Sequence, residues 1–347
     1  MTADTGSAPG ALRTQLVFLL LALSLTSVGL AQGVGNRPLV ISGSNWITDA
    51  PTHLAGKAGY FGADAGPEIR VELADSGKQS LDRLLAGEAD FALMAAVPLA
   101  MELLRLEKEP ALRAGRPLVL ASIGLSNSTH HVIADAARGI EQPGDLDGHA
   151  IGLLVGSSAH YGWDRFADYH QISPDSVRLV NTSPERLAEA LSEGRVDAVV
   201  TWTPYSERIM TQLQSDGRRF PLDAMDSVSW LLVSTRSTID NHPDEVRRVL
   251  QGYARAIEML QSEPDRAVEM LGQPPGWSEH GRVAWKLALD WPSLFNVEDK
   301  MGWGAGLLGV ERPRLSPAAF IAREPLERYR PGAVTLPIWL GDGDGSK

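Results

Sequence analysis

Cysteine is absent from all 347 residues. That excludes disulfides, and it excludes a lipid attached through an N-terminal cysteine. A hydrophobic core must hold the fold, and a hydrophobic content of 44% is ordinary for a globular chain. Positive charge is in short supply. The 32 Lys and Arg against 43 Asp and Glu leave a formal net charge of -11. Such a balance favours solubility and argues against a nucleic-acid partner. Beyond the N-terminal segment no stretch is apolar enough to read as a membrane span. Enzyme signatures are missing as well. The chain has no G-x-S-x-G elbow, no H-E-x-x-H, no phosphate-binding nucleotide loop and no dinucleotide fingerprint.

What is present begins with an apolar run from Leu16 to Leu23, preceded by Arg13 and followed by Gly29-Leu30-Ala31. The run is shorter than the roughly 20 residues of a transmembrane helix. A basic start, a short apolar centre and small residues at its end describe a secretory signal peptide over residues 1–31. The alternative is an uncleaved anchor. The expected location is the periplasm, as a soluble protein after cleavage.

Two stretches about a hundred residues apart share one design. Leu81 to Pro98 and Leu187 to Tyr205 each hold a short amphipathic helix stopped by a glycine, Gly87 or Gly194. In each, an aspartate, Asp90 or Asp197, opens an apolar strand that ends near a proline. Length and this repetition predict two α/β lobes with a cleft between their strand ends. Further strands are expected at Pro38–Ser42, Pro117–Ile123, Ala150–Val155 and Trp230–Ser234. A long helix should follow His242-Pro243, with Val246, Val249, Leu250, Tyr253, Ile257 and Leu260 on one face. Ser183 and Pro184 read as a capping serine with proline at the first helical position. Most of the tryptophans of the tail are expected to pack helices against the first lobe.

The best ligand-binding feature is Gly156-Ser157-Ser158-Ala159, a small-residue turn between a strand and a helix. Its backbone amides and two hydroxyls suit an anionic or strongly polar group, although helix capping alone explains one of the serines. Trp46 and Trp202 are placed in post-strand loops on the cleft, where they would cover an organic body. His130, His131 and His160 invite a metal. The first two point to opposite faces of an extended segment, so structural or hydrogen-bonding roles are expected instead.

The order of these features resembles the periplasmic substrate-binding proteins of ABC transporters, of the nitrate, sulfonate, taurine and thiamine-precursor type. Those carrying the resemblance are Trp46 with Pro51 and Tyr60-Phe61, Gly87-x-x-Asp90, Asp145-Leu146-x-Gly148, and Gly194-x-x-Asp197-Ala198 leading to Trp202-x-Pro204-Tyr205. The resemblance implies a two-lobed α/β periplasmic binding protein fold (type II) with two crossings. Residues 38–125 and 230–340 would form lobe 1, and 126–229 lobe 2. It implies no catalysis, no cofactor and no metal, a monomer, and docking on an inner-membrane ABC permease. The implied ligand is a small organic anion such as taurine or an aliphatic sulfonate. Its site would draw on Trp46, Ser76, Gly77, Ala95, Pro98, Asn127, Ser128, Ser157, Ser158, Ala159, His160, Tyr161 and Trp202. No arginine stands at these positions, though Arg83 or Arg165 is within reach from a helix. A pyrimidine or small amine as ligand, or a sensing role at a membrane receptor, stays open.

Overall fold

A computed structural model describes residues 37–62, 66–127, 130–222, 225–272 and 283–337. The expected signal peptide, Ser128, Trp277 and Trp339 lie outside the described residues.

The chain starts with β1 (Leu39–Ser44), a 3-10 turn over Ile47–Asp49, and α1 (Ala50–Lys57). It continues through β2 (Ile69–Ala74), α2 (Gly77–Leu85), β3 (Phe91–Ala95), α3 (Ala96–Lys108) and β4 (Pro117–Ser126). The next sheet is built by β5 (His130–Asp135), β6 (Ala150–Leu153), α4 (Ser158–Tyr169), β7 (Arg178–Asn181), α5 (Leu187–Ser192), β8 (Ala198–Trp202), α6 (Tyr205–Leu213) and β9 (Gly217–Pro221). The chain then returns to the first sheet with β10 (Val228–Thr235). It ends in α7 (Arg236–Asn241), α8 (Pro243–Ser262), α9 (Pro264–Leu271), β11 (Val283–Ala288), α10 (Trp291–Leu307) and α11 (Arg323–Tyr329).

The two sheets repeat one topology. The first runs β11-β4-β10-β3-β1-β2 and the second β7-β6-β8-β5-β9. Without β11, their strand orders superimpose. In each, three strands are parallel and one strand runs against its neighbours: β10 in the first, β5 in the second. Both reversed strands follow a crossing between the sheets. A chain arriving from the other lobe enters at the cleft edge, where the parallel strands end, and so runs opposite to them.

The twin glycine–aspartate units have a physical cause. Gly87 and Gly194 follow α2 and α5 with φ of +73° and +72°, the left-handed region open to glycine. Three residues later the aspartate grips the neighbouring strand at two points. Asp90 donates its N–H to the Val40 carbonyl at 2.9 Å and accepts the Val40 N–H on Oδ2 at 2.9 Å. Asp197 does the same to Ala150, at 2.8 and 2.9 Å. Each clamp sets the register of a parallel pair at the end remote from the cleft. Burial raises the pKa of Asp197, but the Ala150 N–H, His149 and Arg138 outweigh it and hold the carboxyl below its usual range.

Packing follows the expected patterns in most places. All five residues of β3 are buried, and α8 buries the apolar face that begins at Val246. Gly252 on that helix admits Phe61: a Cβ there would stand 2.5 Å from the Phe61 ring. One expectation is corrected. The Ser183 hydroxyl donates to the Glu185 carboxylate and does not cap the backbone of the turn that follows. Trp303 on α10 is an exception among the tail tryptophans, since it packs against the second lobe. Its Nε1–H donates to Asp164 of α4 at 2.7 Å, so α10 clasps both lobes.

Candidate functional site

A narrow cavity, with about 370 Å³ of empty space when the open solvent at its mouth is included, lies between the two sheets at the ends of their parallel strands. Ser44 and Trp46 reach it from the end of β1, Ser76, Gly77 and Lys78 from the start of α2, and Ala95 and Pro98 from the β3–α3 junction. The second lobe supplies Leu154, Ser157 and Ser158 from the turn before α4, and Trp202 from the end of β8. Trp230, near the start of β10, completes the lining.

Three helices point their N-termini at this space, and an N-terminus carries free N–H groups and partial positive charge. For α2 the approach depends on glycine. A Cβ on Gly77 would lie 2.9 Å from the Met94 Cβ and 3.0 Å from its Cα, so a larger residue would push the helix start away from β3. Ser76 accepts the Gln79 N–H at 3.2 Å, and Ser157 accepts the Ala159 N–H at 3.2 Å. Ser157 also donates to the Leu154 carbonyl at 2.7 Å. Both hydroxyls therefore serve their own helices, and the backbone amides are what these turns offer a ligand. Ala95 leaves the start of α3 without a side-chain cap.

Tryptophans wall the site. Trp46 meets Trp230 edge to face at 4.5 Å between ring centroids. His130 lies 5.5 Å from Trp46 and 5.8 Å from Trp202. Its Nε2 is 3.0 Å from the Ser158 Oγ. Burial, with help from His131 and Lys300, pushes the pKa of His130 down to about 3, so the ring is neutral. The indole Nε1–H of Trp46 is buried and has no hydrogen-bond partner among the described residues. Tyr205 ties the lobes together by donating to the Asp75 carbonyl at 3.2 Å. Behind the lining, Asp49 is fully buried. Burial raises its pKa to about 6 against the pull of His53, Thr52 and the Ser44 N–H. It accepts that N–H at 2.6 Å and the Thr52 hydroxyl.

The lining holds no carboxylate among the described residues and one cation, Lys78, whose Nζ also contacts Asp82 at 2.7 Å. With three helix N-termini, this set favours an anionic group, and the indole walls favour an apolar body beside it.

Of the thirteen residues expected at the site, eight line this cavity: Trp46, Ser76, Gly77, Ala95, Pro98, Ser157, Ser158 and Trp202. Trp202 is the last residue of β8 and not part of a loop. Asn127 is exposed in the crossing, and Ser128 is outside the described residues. Ala159 is buried inside the first turn of α4. His160 accepts the Gly156 N–H on Nδ1 at 3.3 Å and sets its ring against Trp303. Tyr161 donates to Asp299 at 2.7 Å beneath the Lys300 ammonium. Both therefore face α10. Arg83 pairs with Glu72 and Arg165 lies over Tyr161, so neither arginine enters. Ser44, Lys78, Leu154 and Trp230 are the lining residues that sequence reasoning missed. Lys78 was legible as the neighbour of Ser76 and Gly77. Trp230 becomes legible once its strand is known to enter from the cleft.

The family model described as NMT1/THI5 like matches residues 46–267. The taurine-binding periplasmic protein of Escherichia coli (strain K12) is 23% identical over 250 residues, 70% of this chain and 72% of the relative. The alkanesulfonate-binding protein SsuA from Xanthomonas axonopodis pv. citri, solved bound to MOPS, matches with a TM-score of 0.66 at 17% identity. The match covers 84% of this chain and all of that one. The desulfurization enzyme DSZB shares the fold with a TM-score of 0.58 at 15% identity, over 84% of this chain and 98% of that one.

Proposed function

The chain belongs to the NMT1/THI5-like family, and from that premise we propose that it is the periplasmic solute-binding component of an ABC importer, with a small organic anion as its ligand. Within that class we favour an aliphatic sulfonate or taurine. The observation that carries the reading is the charge of the cavity: three helix N-termini and Lys78, with no carboxylate among the described lining residues. Tetrahedral oxyanions match converging amides, and the hydrocarbon part of a sulfonate matches Trp46, Trp202 and Trp230. The names of the taurine- and alkanesulfonate-binding relatives support the same ligand class.

The fold also occurs in an enzyme, so catalysis needs its own argument. Ser158 and His130 have the spacing of a nucleophile and its base. A histidine pushed down to about 3 is a poor proton acceptor, which supports binding over acyl transfer. Lobe closure on the ligand, followed by docking on a membrane permease, is the mechanism this reading entails.

Native mass spectrometry and thermal shift against taurine, alkanesulfonates, nitrate, bicarbonate, pyrimidines and small amines test the proposal. A saturable shift with a sulfonate, and no conversion of it, is the expected result. A shift with only a pyrimidine or an amine would overturn the ligand class.

A further inference from the structure

We propose a second anion site at the mouth of the cleft, formed by Lys57 of α1 and Arg208 of α6, with His53 of α1 beside them. These three side chains line a separate open cavity of about 870 Å³ that includes solvent at its mouth. It shares Trp46 with the inner cavity, and the indole stands between the two spaces. Among the described residues, no carboxylate lines it.

Concentrated positive charge is out of place on a chain of net charge -11. Several arginines elsewhere on the surface are neutralised, as Arg83 is by Glu72 and Arg219 by Glu207. Lys57 and Arg208 are different. Lys57 gives one donor to the Leu271 carbonyl at 2.9 Å, and Arg208 lies 5.9 Å over the Tyr205 ring. Neither forms an ion pair among the described residues. His53 meets the Ser44 carbonyl through Nε2 at 2.6 Å, which ties the outer site to the inner lining. Asp49, the carboxylate that acts on His53, is fully buried and already accepts from Ser44 and Thr52.

The chemistry that fits is an oxyanion with room for several oxygens: ammonium from one lobe, guanidinium from the other. Because α1 and α6 belong to different lobes, an oxyanion held between them also favours the closed arrangement. Two sources supply such a group, a free inorganic oxyanion or the far end of an organic ligand seated in the inner cavity. The inference adds a site to the proposed function and does not rest on the identity of the inner ligand.

The test is isothermal titration of sulfate into the full chain at constant ionic strength, repeated with the double variants K57Q/R208Q and K78A/S158A. Sulfate should bind saturably, at least tenfold more weakly to K57Q/R208Q, and should still bind to K78A/S158A. Equal sulfate affinity in K57Q/R208Q overturns the proposal, as does displacement of sulfate by chloride at matched ionic strength. Sulfate that binds beside a saturating alkanesulfonate assigns the site to a free oxyanion. A disulfonate whose advantage over a monosulfonate vanishes in K57Q/R208Q assigns it to the far end of the ligand. Sulfonate binding unchanged in K78A/S158A would count against the inner site alone.

Discussion

Acid should unfold this protein partly through one histidine. His130 is fully buried, and its pKa falls from an ordinary 6.5 to about 3 in the folded chain. A depressed histidine pKa means that the unfolded state takes up the proton first. The stability tied to the neutral ring is complete above about pH 6.5 and is lost as pH falls toward 3. Between pH 8 and pH 5 the two pKa values give a loss of about 2 kcal/mol. Asp49 works in the opposite direction. Its carboxyl is raised to about 6 from 3.8, so its contribution is complete below about pH 4 and is lost as pH rises through 6. Over the same interval Asp49 returns about 1.4 kcal/mol as pH falls. The net pH dependence of the wild-type chain therefore hides both terms. His130→Gln isolates the first, because an amide at that position keeps a polar partner for Ser158 and cannot titrate. Urea denaturation of both chains at pH 8 and pH 5 is the assay. The wild type should lose about 2 kcal/mol more than H130Q over the interval, since Asp49 and every other group titrate alike in both. Equal losses would refute the claim that His130 is held neutral by burial.

Trp202→Ala should weaken sulfonate binding more than tenfold, about 1.4 kcal/mol, by calorimetry on a chain whose circular dichroism is unchanged. Gly252→Ala forces a methyl against Phe61 and should cost about 1–3 kcal/mol in chemical denaturation, with F61A/G252A losing less than the sum of the two single variants. Asp197→Ala strips the Ala150 N–H and Arg138 of their shared acceptor. It should cost about 1–3 kcal/mol at pH 7 while leaving ligand affinity near its wild-type value, since the clamp lies at the far end of β8 from the cleft. Below about pH 3.8 that difference should shrink, because Asp197 loses its charge as pH falls through its depressed folded pKa.

Local signals made the repeated units legible. A glycine in the left-handed region, an aspartate three residues on and an apolar strand occupy one short window, and their geometry is fixed within it. The two-lobed reading follows from that window, and Trp46, Ser157, Ser158 and Trp202 from their positions after strands; Ser76, Gly77, Ala95 and Pro98 came from the family resemblance. His160 and Tyr161 were misplaced for a helical reason. Successive residues turn by about 100°, so only the opening positions of α4 address the cleft, while the next two rotate toward α10. Trp230 and the contact of His130 with Ser158 were out of reach because they depend on reversed strands that pair far from their sequence neighbours. Lys78 was passed over for another reason: arginine was sought as the cation, while lysine stood next to Gly77, a residue already assigned to the site. The grip of Trp303 on α4 joins residues 139 apart in sequence, and no window reading finds such a pair.

The reversed strands carry a consequence for how binding would be felt. β5 begins at His130, four residues after β4 ends at Ser126, and β10 begins at Val228, seven after β9 ends at Pro221. If the lobes close as proposed, the strands that follow the two crossings start beside the tryptophans around the cavity. On that proposal hinge and detector would share one stretch of backbone. A ligand pressing on Trp230 or on the His130–Ser158 pair would then act directly on the pivots, with no relay through the body of either lobe.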